Sequence, residues 1–157
     1  MLTKEAMSTK EAAITKSLEI LNDPSRFEMI KHGYKYHYKY DGKNVLHRVD
    51  GPAVEGDDGS KHWYVNGRRH REDGPATEEP NGRKFWYIND MLHREDGPAI
   101  EVEGHRGWFL NGKQLRTLTK EHLIKYMEAN NLTIAHLLTD PNEIVRTSAA
   151  KYKWKKT

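Results

Sequence analysis

The chain has 157 residues, a length that suits one domain, and 36% of them are apolar while 31% are charged. It contains no cysteine, which excludes disulfides, thiol catalysis and cysteine-based zinc sites and agrees with a reducing compartment such as the cytoplasm. The net charge of +3 is too small to argue for a polyanionic partner, and no apolar run approaches the roughly 18 residues of a membrane span. We therefore expect a cytoplasmic domain without integral membrane association.

Residues 1–33 are predicted to form an N-terminal helical cap. Ser8 and Glu11 have the spacing of a capping box. Apolar residues recur at helical intervals around them: Met7, Ile14, Leu18 and Leu21. Asp23-Pro24 is typical of a second helix start, and Phe27 and Ile30 would face inward from that short helix.

Residues 34–117 contain a tandem array. The phrase His-Arg-x-Asp-Gly-Pro-Ala begins at His47, His70 and His93, so its copies are 23 residues apart. A second phrase precedes each His-Arg or its substitute: Trp63-Tyr64-Val65-Asn66-Gly67, Trp86-Tyr87-Ile88-Asn89-Asp90 and Trp108-Phe109-Leu110-Asn111-Gly112. A degenerate first copy has Tyr38, Tyr40, Asp41 and Gly42 near the aromatic and turn positions. Such self-similarity predicts a repeat architecture.

Each copy is predicted to be one β-hairpin. The short segments Pro52-Ala53-Val54-Glu55 and His62-Trp63-Tyr64-Val65 have the alternating pattern of β-strands, and Asp57-Asp58-Gly59-Ser60 forms the turn between them. Asn66-Gly67 is a strong signal for a tight hairpin turn, because both residues tolerate positive φ. Equivalent side chains of successive copies would then lie two strands apart, about 9 to 10 Å, in columns.

Residues 118–157 are predicted to be helical, with a basic tail. Thr119 can cap a helix that carries Leu123, Ile124 and Met127. Thr133 can cap a short turn with Ile134, Leu137 and Leu138, and Asp140-Pro141 with Glu143 is typical of a third helix start. The tail is Lys151, Tyr152, Lys153, Trp154, Lys155 and Lys156. The predicted fold class is α+β, a single-layer antiparallel β-hairpin meander capped by helices at both ends.

The phrase Asn66-Gly67-Arg68-Arg69-His70, preceded by Trp63 and repeated every 23 residues, resembles the MORN repeat family. The resemblance covers about half of the chain. The family's usual glycine after the histidine is replaced here by Arg71 or Arg94, and its Gly-x-Gly by Asp-Gly-Pro-Ala, in a style similar to repeats of phage and viral proteins. The resemblance implies a fold of single-layer stacks of hairpins. It also implies a role in scaffolding, self-association or contact with partner proteins, and membrane or phosphoinositide contact is a further property associated with the family.

Each copy places an aspartate three positions after its histidine: Asp50 after His47, Asp73 after His70 and Asp96 after His93. Such pairs could supply general acid–base catalysis, as in a small hydrolase. Because a column repeats one environment instead of converging on one centre, we expect these residues to be structural, with the aspartates capping their Asp-Gly turns and pairing with nearby arginines. A shared zinc ion needs ligands at about 2.0 to 2.1 Å, far less than the two-strand spacing. No catalytic residue, metal or cofactor is therefore predicted.

Two aromatic columns are predicted on opposite faces of the hairpins. Trp63, Trp86 and Trp108 form one, and Tyr64, Tyr87 and Phe109 form the other. Because the flanking helices would cover only one face, the other column would stay partly exposed as a contact surface. The predicted partner-binding residues are Tyr64, Tyr87, Phe109, Arg68, Arg69, Arg83 and Lys84.

The functional hypothesis is a non-enzymatic protein–protein interaction module. A phage-type origin would make a host factor or a defence component the partner, and self-association into a homo-oligomer stays open. One alternative is a nucleic-acid-binding protein that uses the basic aromatic tail, and the other is the small hydrolase. The many carboxylates in the array disfavour a phosphate-tracking surface there.

Overall fold

The computed structural model describes residues 25–40 and 42–154, which form fifteen strands and three helices. The strands are β1 (Arg26–Lys31), β2 (Tyr34–Tyr40), β3 (Asn44–Leu46), β4 (Val54–Gly56), β5 (Lys61–His62), β6 (Tyr64–Val65), β7 (Arg68–Arg69), β8 (Thr77–Glu78), β9 (Lys84–Phe85), β10 (Tyr87–Ile88), β11 (Met91–Leu92), β12 (Ile100–Val102), β13 (His105–Gly107), β14 (Phe109–Leu110) and β15 (Lys113–Gln114). The helices are α1 (Lys120–Asn130), α2 (Ile134–Leu138) and α3 (Glu143–Ala150). None of the helices in this part of the chain is long and apolar enough to cross a lipid bilayer.

The strands form one nine-stranded antiparallel sheet and three two-stranded ladders. The large sheet runs β1-β2-β4-β5-β8-β9-β12-β13, with β3 paired to β2. The small ladders are β6-β7, β10-β11 and β14-β15. The predicted mixture of antiparallel hairpins and helices is confirmed at this level.

The prediction of one hairpin per 23-residue copy is wrong, because each full copy forms two. The first hairpin belongs to the large sheet, as β4 and β5 do, and the second forms a small ladder, as β6 and β7 do. Backbone bonds join each second hairpin to the copy before it. The N–H of Gly67 donates to Leu46 O of β3 at 2.8 Å, and that of Asp90 donates to Arg69 O of β7 at 2.9 Å. The copies therefore contact one another along both rows of hairpins.

The second hairpins close on the predicted turns. Asn66 and Gly67 have φ of 50° and 77°. The equivalent pairs also have positive φ: Asn89 and Asp90, and Asn111 and Gly112. Positive φ at both central residues is the property of a type I′ turn, whose twist matches that of the paired strands.

The short helix predicted after Asp23-Pro24 is wrong, and β1 takes its place. β1 pairs along its whole length with β2, and the Phe27 and Tyr38 rings stack with centroids 5.4 Å apart. His32 and Gly33 between the two strands have φ of 52° and 76°. Pairing with an aromatic strand thus overrides the local helix signal. The predicted helix with Ser8, Glu11, Met7, Ile14, Leu18 and Leu21 lies outside the described residues.

The three C-terminal helices begin at polar caps. Thr119 and Thr133 accept from the backbone N–H groups of His122 and His136, as predicted for both threonines. The third cap is Asn142, because the Asp140 carboxylate accepts from the N–H of Asn142 at 2.8 Å and the helix starts after that turn.

The main hydrophobic core lies between these helices and the last copy of the array. Trp108, which is 1% exposed, packs against Leu123, Leu137, Val145 and Ala149. The Tyr126 ring meets Trp108 edge-on, with centroids 5.1 Å apart. The three C-terminal helices therefore cap the end of the array around one tryptophan.

Candidate interaction grooves

The arginine of the His-Arg phrase organises each copy. Arg71 Nε donates to Asp73 at 2.8 Å, and its Nη1 donates to Pro75 O at 3.2 Å and to Glu78 at 3.0 Å. The same three bonds recur from Arg48 to Asp50, Pro52 and Glu55, and from Arg94 to Asp96, Pro98 and Glu101. We call each set an arginine clasp. Because a guanidinium presents a rigid fork of donors, one side chain ties the loop to the strand that follows it.

The glycine of the phrase leaves room for the guanidinium. A Cβ on Gly74 would lie 2.9 Å from Arg71 Cζ, and one on Gly97 would lie 2.7 Å from Arg94 Cζ. The alanine two positions later is fully buried in every copy, as Ala53, Ala76 and Ala99. The Asp-Gly-Pro-Ala sequence therefore supplies each arginine clasp with its bonded aspartate, its close-packed glycine, a proline carbonyl acceptor and a buried alanine.

Gly97→Ala is expected to lower the free energy of unfolding by about 1–3 kcal/mol, the usual cost of overpacking. The new methyl group would push the Arg94 guanidinium away from its bonding position. Urea unfolding of the variant and the parent measures the change. An unaltered midpoint would contradict the close packing of Gly97 against Arg94.

Two clasps also cover a tryptophan. Arg71 Cζ lies 4.0 Å from the centre of the Trp63 ring, and Arg94 Cζ lies 4.0 Å from that of Trp86. Such stacking combines cation–π attraction with burial of the ring face. The first two tryptophans of the column are thus covered by cations of the next copy, whereas Trp108 is covered by helices.

The histidines of the phrase hold the second hairpin turn of their own copy. His47 Nδ1 accepts from the N–H of Asn66 at 3.0 Å, His70 Nδ1 from that of Asn89 at 3.3 Å, and His93 Nδ1 from that of Asn111 at 3.1 Å. The aspartates that the sequence could pair with them bind the arginines instead. Within the described residues, no group of three or more His, Asp or Glu side chains is arranged to hold a metal ion.

Three of the predicted partner-binding residues lie together, because Arg69 pairs with Tyr64 across the β6–β7 ladder and also contacts Tyr87. Arg69 lies over the Tyr87 ring at 3.9 Å and donates to Asp90 at 3.0 Å from both its Nε and its backbone N–H. Tyr64, Tyr87 and Phe109 are half-buried, and burial raises the pKa of the Tyr64 hydroxyl. Arg68, Arg83 and Lys84 are exposed, with Lys84 opposite Glu78 and Glu101 in the sheet register.

The tail folds back onto the helices. The Tyr152 hydroxyl donates to Leu118 O at 3.1 Å, and Trp154 Nε1 donates to Ala149 O at 3.0 Å. Both rings are therefore half-buried, while Lys151 and Lys153 are exposed. Lys155 and Lys156 lie outside the described residues.

Two grooves lie on the side of the clasps, and their side chains repeat at the 23-residue offset. The first groove, of about 820 Å³, has Trp63, Val65 and His70 in its lining. The second groove, of about 690 Å³, has Trp86, Ile88 and His93 at the equivalent positions. Arg71, Glu72 and Asp73 line both grooves and so form the wall between them. Together they make one continuous surface of repeated geometry.

The rim of the grooves is acidic. The side chains of Glu72 and Asp73 are 86% and 85% exposed, whereas that of Arg71 is only 22% exposed and is already bound to Asp73 and Glu78. The hydrogen bond from Arg71 lowers the pKa of Asp73. Lys125 of α1 reaches the end of the second groove and donates to Glu95 at 2.8 Å, which lowers the pKa of Glu95. The hydrogen bonds from Arg71 and Lys125 thus favour the ionised forms of Asp73 and Glu95, and the side chains of Glu72 and Asp73 face solvent.

Asp73→Asn is expected to destabilise the protein more at pH 7 than at pH 3. Because the folded-state pKa of Asp73 is lowered, its contribution to stability is present above the unfolded pKa of about 3.9 and is lost as the pH falls through the folded value. Urea unfolding at the two pH values measures the difference. An equal loss at both would show that the charge of Asp73 contributes nothing.

Sequence reasoning missed the grooves as a site. It left open which aromatic column the helices cover, placed the partner-binding residues on the tyrosine column and did not include Val65 and Ile88. The signal that could have found them is the recurrence of an apolar residue two positions after each tryptophan. In comparisons with protein-family models, with curated proteins and with solved structures, no match to the chain is found.

Proposed function

We propose that residues 34–117 are a MORN-like, single-layer repeat array and that the protein is a non-enzymatic protein–protein interaction module. The observation that carries the proposal is the pair of grooves whose side chains recur at a 23-residue offset. A repeated concave surface suits an elongated partner, since each copy offers the same contacts as its neighbour. A host factor or defence component fits this role if the protein is of phage type.

The chemistry of the grooves favours a protein partner. Trp63, Val65, Trp86 and Ile88 are half-buried and supply apolar and aromatic contacts of the kind that anchor protein interfaces. The arginines are bound to carboxylates, so they are poorly placed to bind phosphate. An acidic rim would also repel a polyanion.

The two alternative functions have less support from the contacts. For nucleic-acid binding by the tail, Tyr152 and Trp154 would have to leave their hydrogen bonds to the helical cap before stacking on bases. For a hydrolase, the histidine of each phrase would need its aspartate, but Asp50, Asp73 and Asp96 bind arginines. Neither arrangement favours the alternative over an interaction module.

Selection of binders from a random-peptide display library tests the proposal. The full chain is compared with the groove variant Val65→Ala/Ile88→Ala and with the matched variant Tyr64→Ala/Tyr87→Ala, which alters the neighbouring residue of each strand. Circular dichroism first checks that both variants are folded. We expect the selected peptides to lose affinity for the groove variant by at least tenfold and to keep it for the tyrosine variant.

Loss of affinity for the tyrosine variant, with affinity for the groove variant kept, would place the contact surface on the tyrosine column. A full chain that selects no peptide above background would contradict the grooves as a peptide-binding surface.

A further inference from the structure

We propose that the two grooves bind an extended polyproline II segment with lysine or arginine at every third position. This inference rests on the proposed function and names the partner class of the same surface. It is drawn from the spacing of the grooves, their charge and the hydrogen-bonding groups in their lining.

The spacing of the grooves is set by the sheet. Equivalent strands, such as β4 and β8, are separated by one other strand, β5. Neighbouring strands lie about 4.7–4.9 Å apart, so equivalent points of successive copies are about 9.4–9.8 Å apart. The two grooves are bordered by three equivalent walls, the loops that carry Asp50, Asp73 and Asp96, and these walls follow one another at this interval.

Polyproline II matches this interval. It has three residues per turn and a rise of about 3.1 Å, so every third side chain returns to the same face after about 9.3 Å. A β-strand repeats its face after about 6.7 Å. An α-helix returns nearly to the same face after seven residues, about 10.5 Å, and this leaves a mismatch of roughly 2 Å across three walls. Of these three conformations, polyproline II has the smallest mismatch between its own repeat length and the spacing of the grooves.

The charge of the grooves selects a basic ligand. The first groove is lined by two arginines and three carboxylates, and the second by three basic side chains and four carboxylates. Each clasp arginine is already bonded to two carboxylates, for example Arg94 to Asp96 and Glu101. Counted once across both grooves, the lining holds four basic side chains and five carboxylates, and the excess negative charge lies at the shared wall with Glu72. Each copy also presents one partly exposed aspartate, Asp50, Asp73 or Asp96. The tryptophan in each groove can cover the stem of a long basic side chain.

A histidine lines each groove at the same interval, His70 in the first and His93 in the second. Nδ1 of His70 lies 3.3 Å from the backbone N of Asn89 and 3.0 Å from its Oδ1, and Nδ1 of His93 is held in the same way by Asn111. Nε2 is therefore the ring nitrogen left for a ligand, 3.7 Å from Glu72 in His70 and 4.0 Å from Glu95 in His93. A polyproline II segment has no internal backbone hydrogen bonds, so its polar backbone groups need external partners, and one imidazole per copy matches one turn of the ligand.

Calorimetric titration of the full chain with four synthetic peptides tests the inference at about 0.15 M salt, where distant charges are screened. The peptides are (Lys-Pro-Pro)4, a peptide of the same composition with its four lysines at one end, (Glu-Pro-Pro)4, and an alanine-rich helix with lysine at every seventh position. We expect (Lys-Pro-Pro)4 to bind at least tenfold more tightly than each of the others. Equal affinity for the two lysine–proline peptides would overturn the spacing argument.

A pair of charge-reversal variants provides the second arm. Glu72→Lys changes the wall between the grooves, and Glu103→Lys makes the same change of charge at an exposed glutamate outside the groove linings. We expect at least tenfold weaker binding of (Lys-Pro-Pro)4 to the first variant and less than a threefold change for the second. Equal weakening would show general attraction between opposite charges and would overturn the inference.

The outcomes separate this inference from the proposed function. Preferential binding of the helical peptide would place a basic helix in the grooves and would overturn the polyproline II partner while leaving the interaction module intact. Binding of none of the four peptides would overturn the inference. In that case the proposed function is still tested separately, by the library selection and its groove variant.

Discussion

Trp108→Ala is expected to lower the free energy of unfolding by about 3–5 kcal/mol, the range for truncating a large aromatic side chain in a core. Trp108 is 1% exposed and joins the last copy of the array to all three helices through Leu123, Leu137 and Val145. Its removal leaves a cavity that rigid neighbours cannot fill. Urea unfolding monitored by far-ultraviolet circular dichroism measures the loss.

Two further variants make the result specific. Trp63→Ala removes the equivalent residue, which is half-buried beneath Arg71, and is expected to cost clearly less than Trp108→Ala. Trp108→Phe keeps most of the ring, and among the described residues no group accepts from Trp108 Nε1, so no hydrogen bond between them is lost. Equal losses for Trp63→Ala and Trp108→Ala would contradict the helical cap as the main core.

Local turn and cap chemistry could be predicted from the sequence because it depends on one or two residues. Asn66-Gly67 closes the predicted hairpin, and Thr119 and Thr133 cap the predicted helices. The strand β1 could not be predicted in this way. Asp23-Pro24 is a local helix signal, but residues 26–31 pair with β2, and this non-local partner decides their conformation.

The grooves were harder to predict, because they depend on which residue covers which ring. The sequence shows Trp63 and Trp108 at equivalent positions, and both were assigned to one column. Their surroundings differ because only Trp108 is followed by the helices, while Trp63 is followed by another copy that supplies Arg71. The repeated phrase predicted a structural role for the histidines and pairing of the aspartates with nearby arginines, but it contained no direct sign of the further bonds from each arginine to the proline carbonyl and the glutamate.

Arg94→Ala is expected to destabilise the protein by about 2–3 kcal/mol, within the range for losing hydrogen bonds between charged groups. The Arg94 side chain is 14% exposed, which makes it the most buried of the three clasp arginines. It donates at 2.7 Å to both Asp96 and Glu101, and its removal leaves these carboxylates facing each other without a cation. Thermal and urea unfolding measure the loss.

Arg94→Lys separates charge from geometry. Lysine keeps the positive charge but has neither the planar fork that reaches Asp96, Pro98 and Glu101 together nor the flat surface that stacks on Trp86. We expect it to recover less than half of the stability lost in Arg94→Ala. As a control, Arg68→Ala at an exposed position of β7 should change stability by less than about 0.5 kcal/mol. Full recovery by lysine would mean that charge alone stabilises the loop, and the arrangement of bonds around the guanidinium would then not explain why each copy places arginine after its histidine.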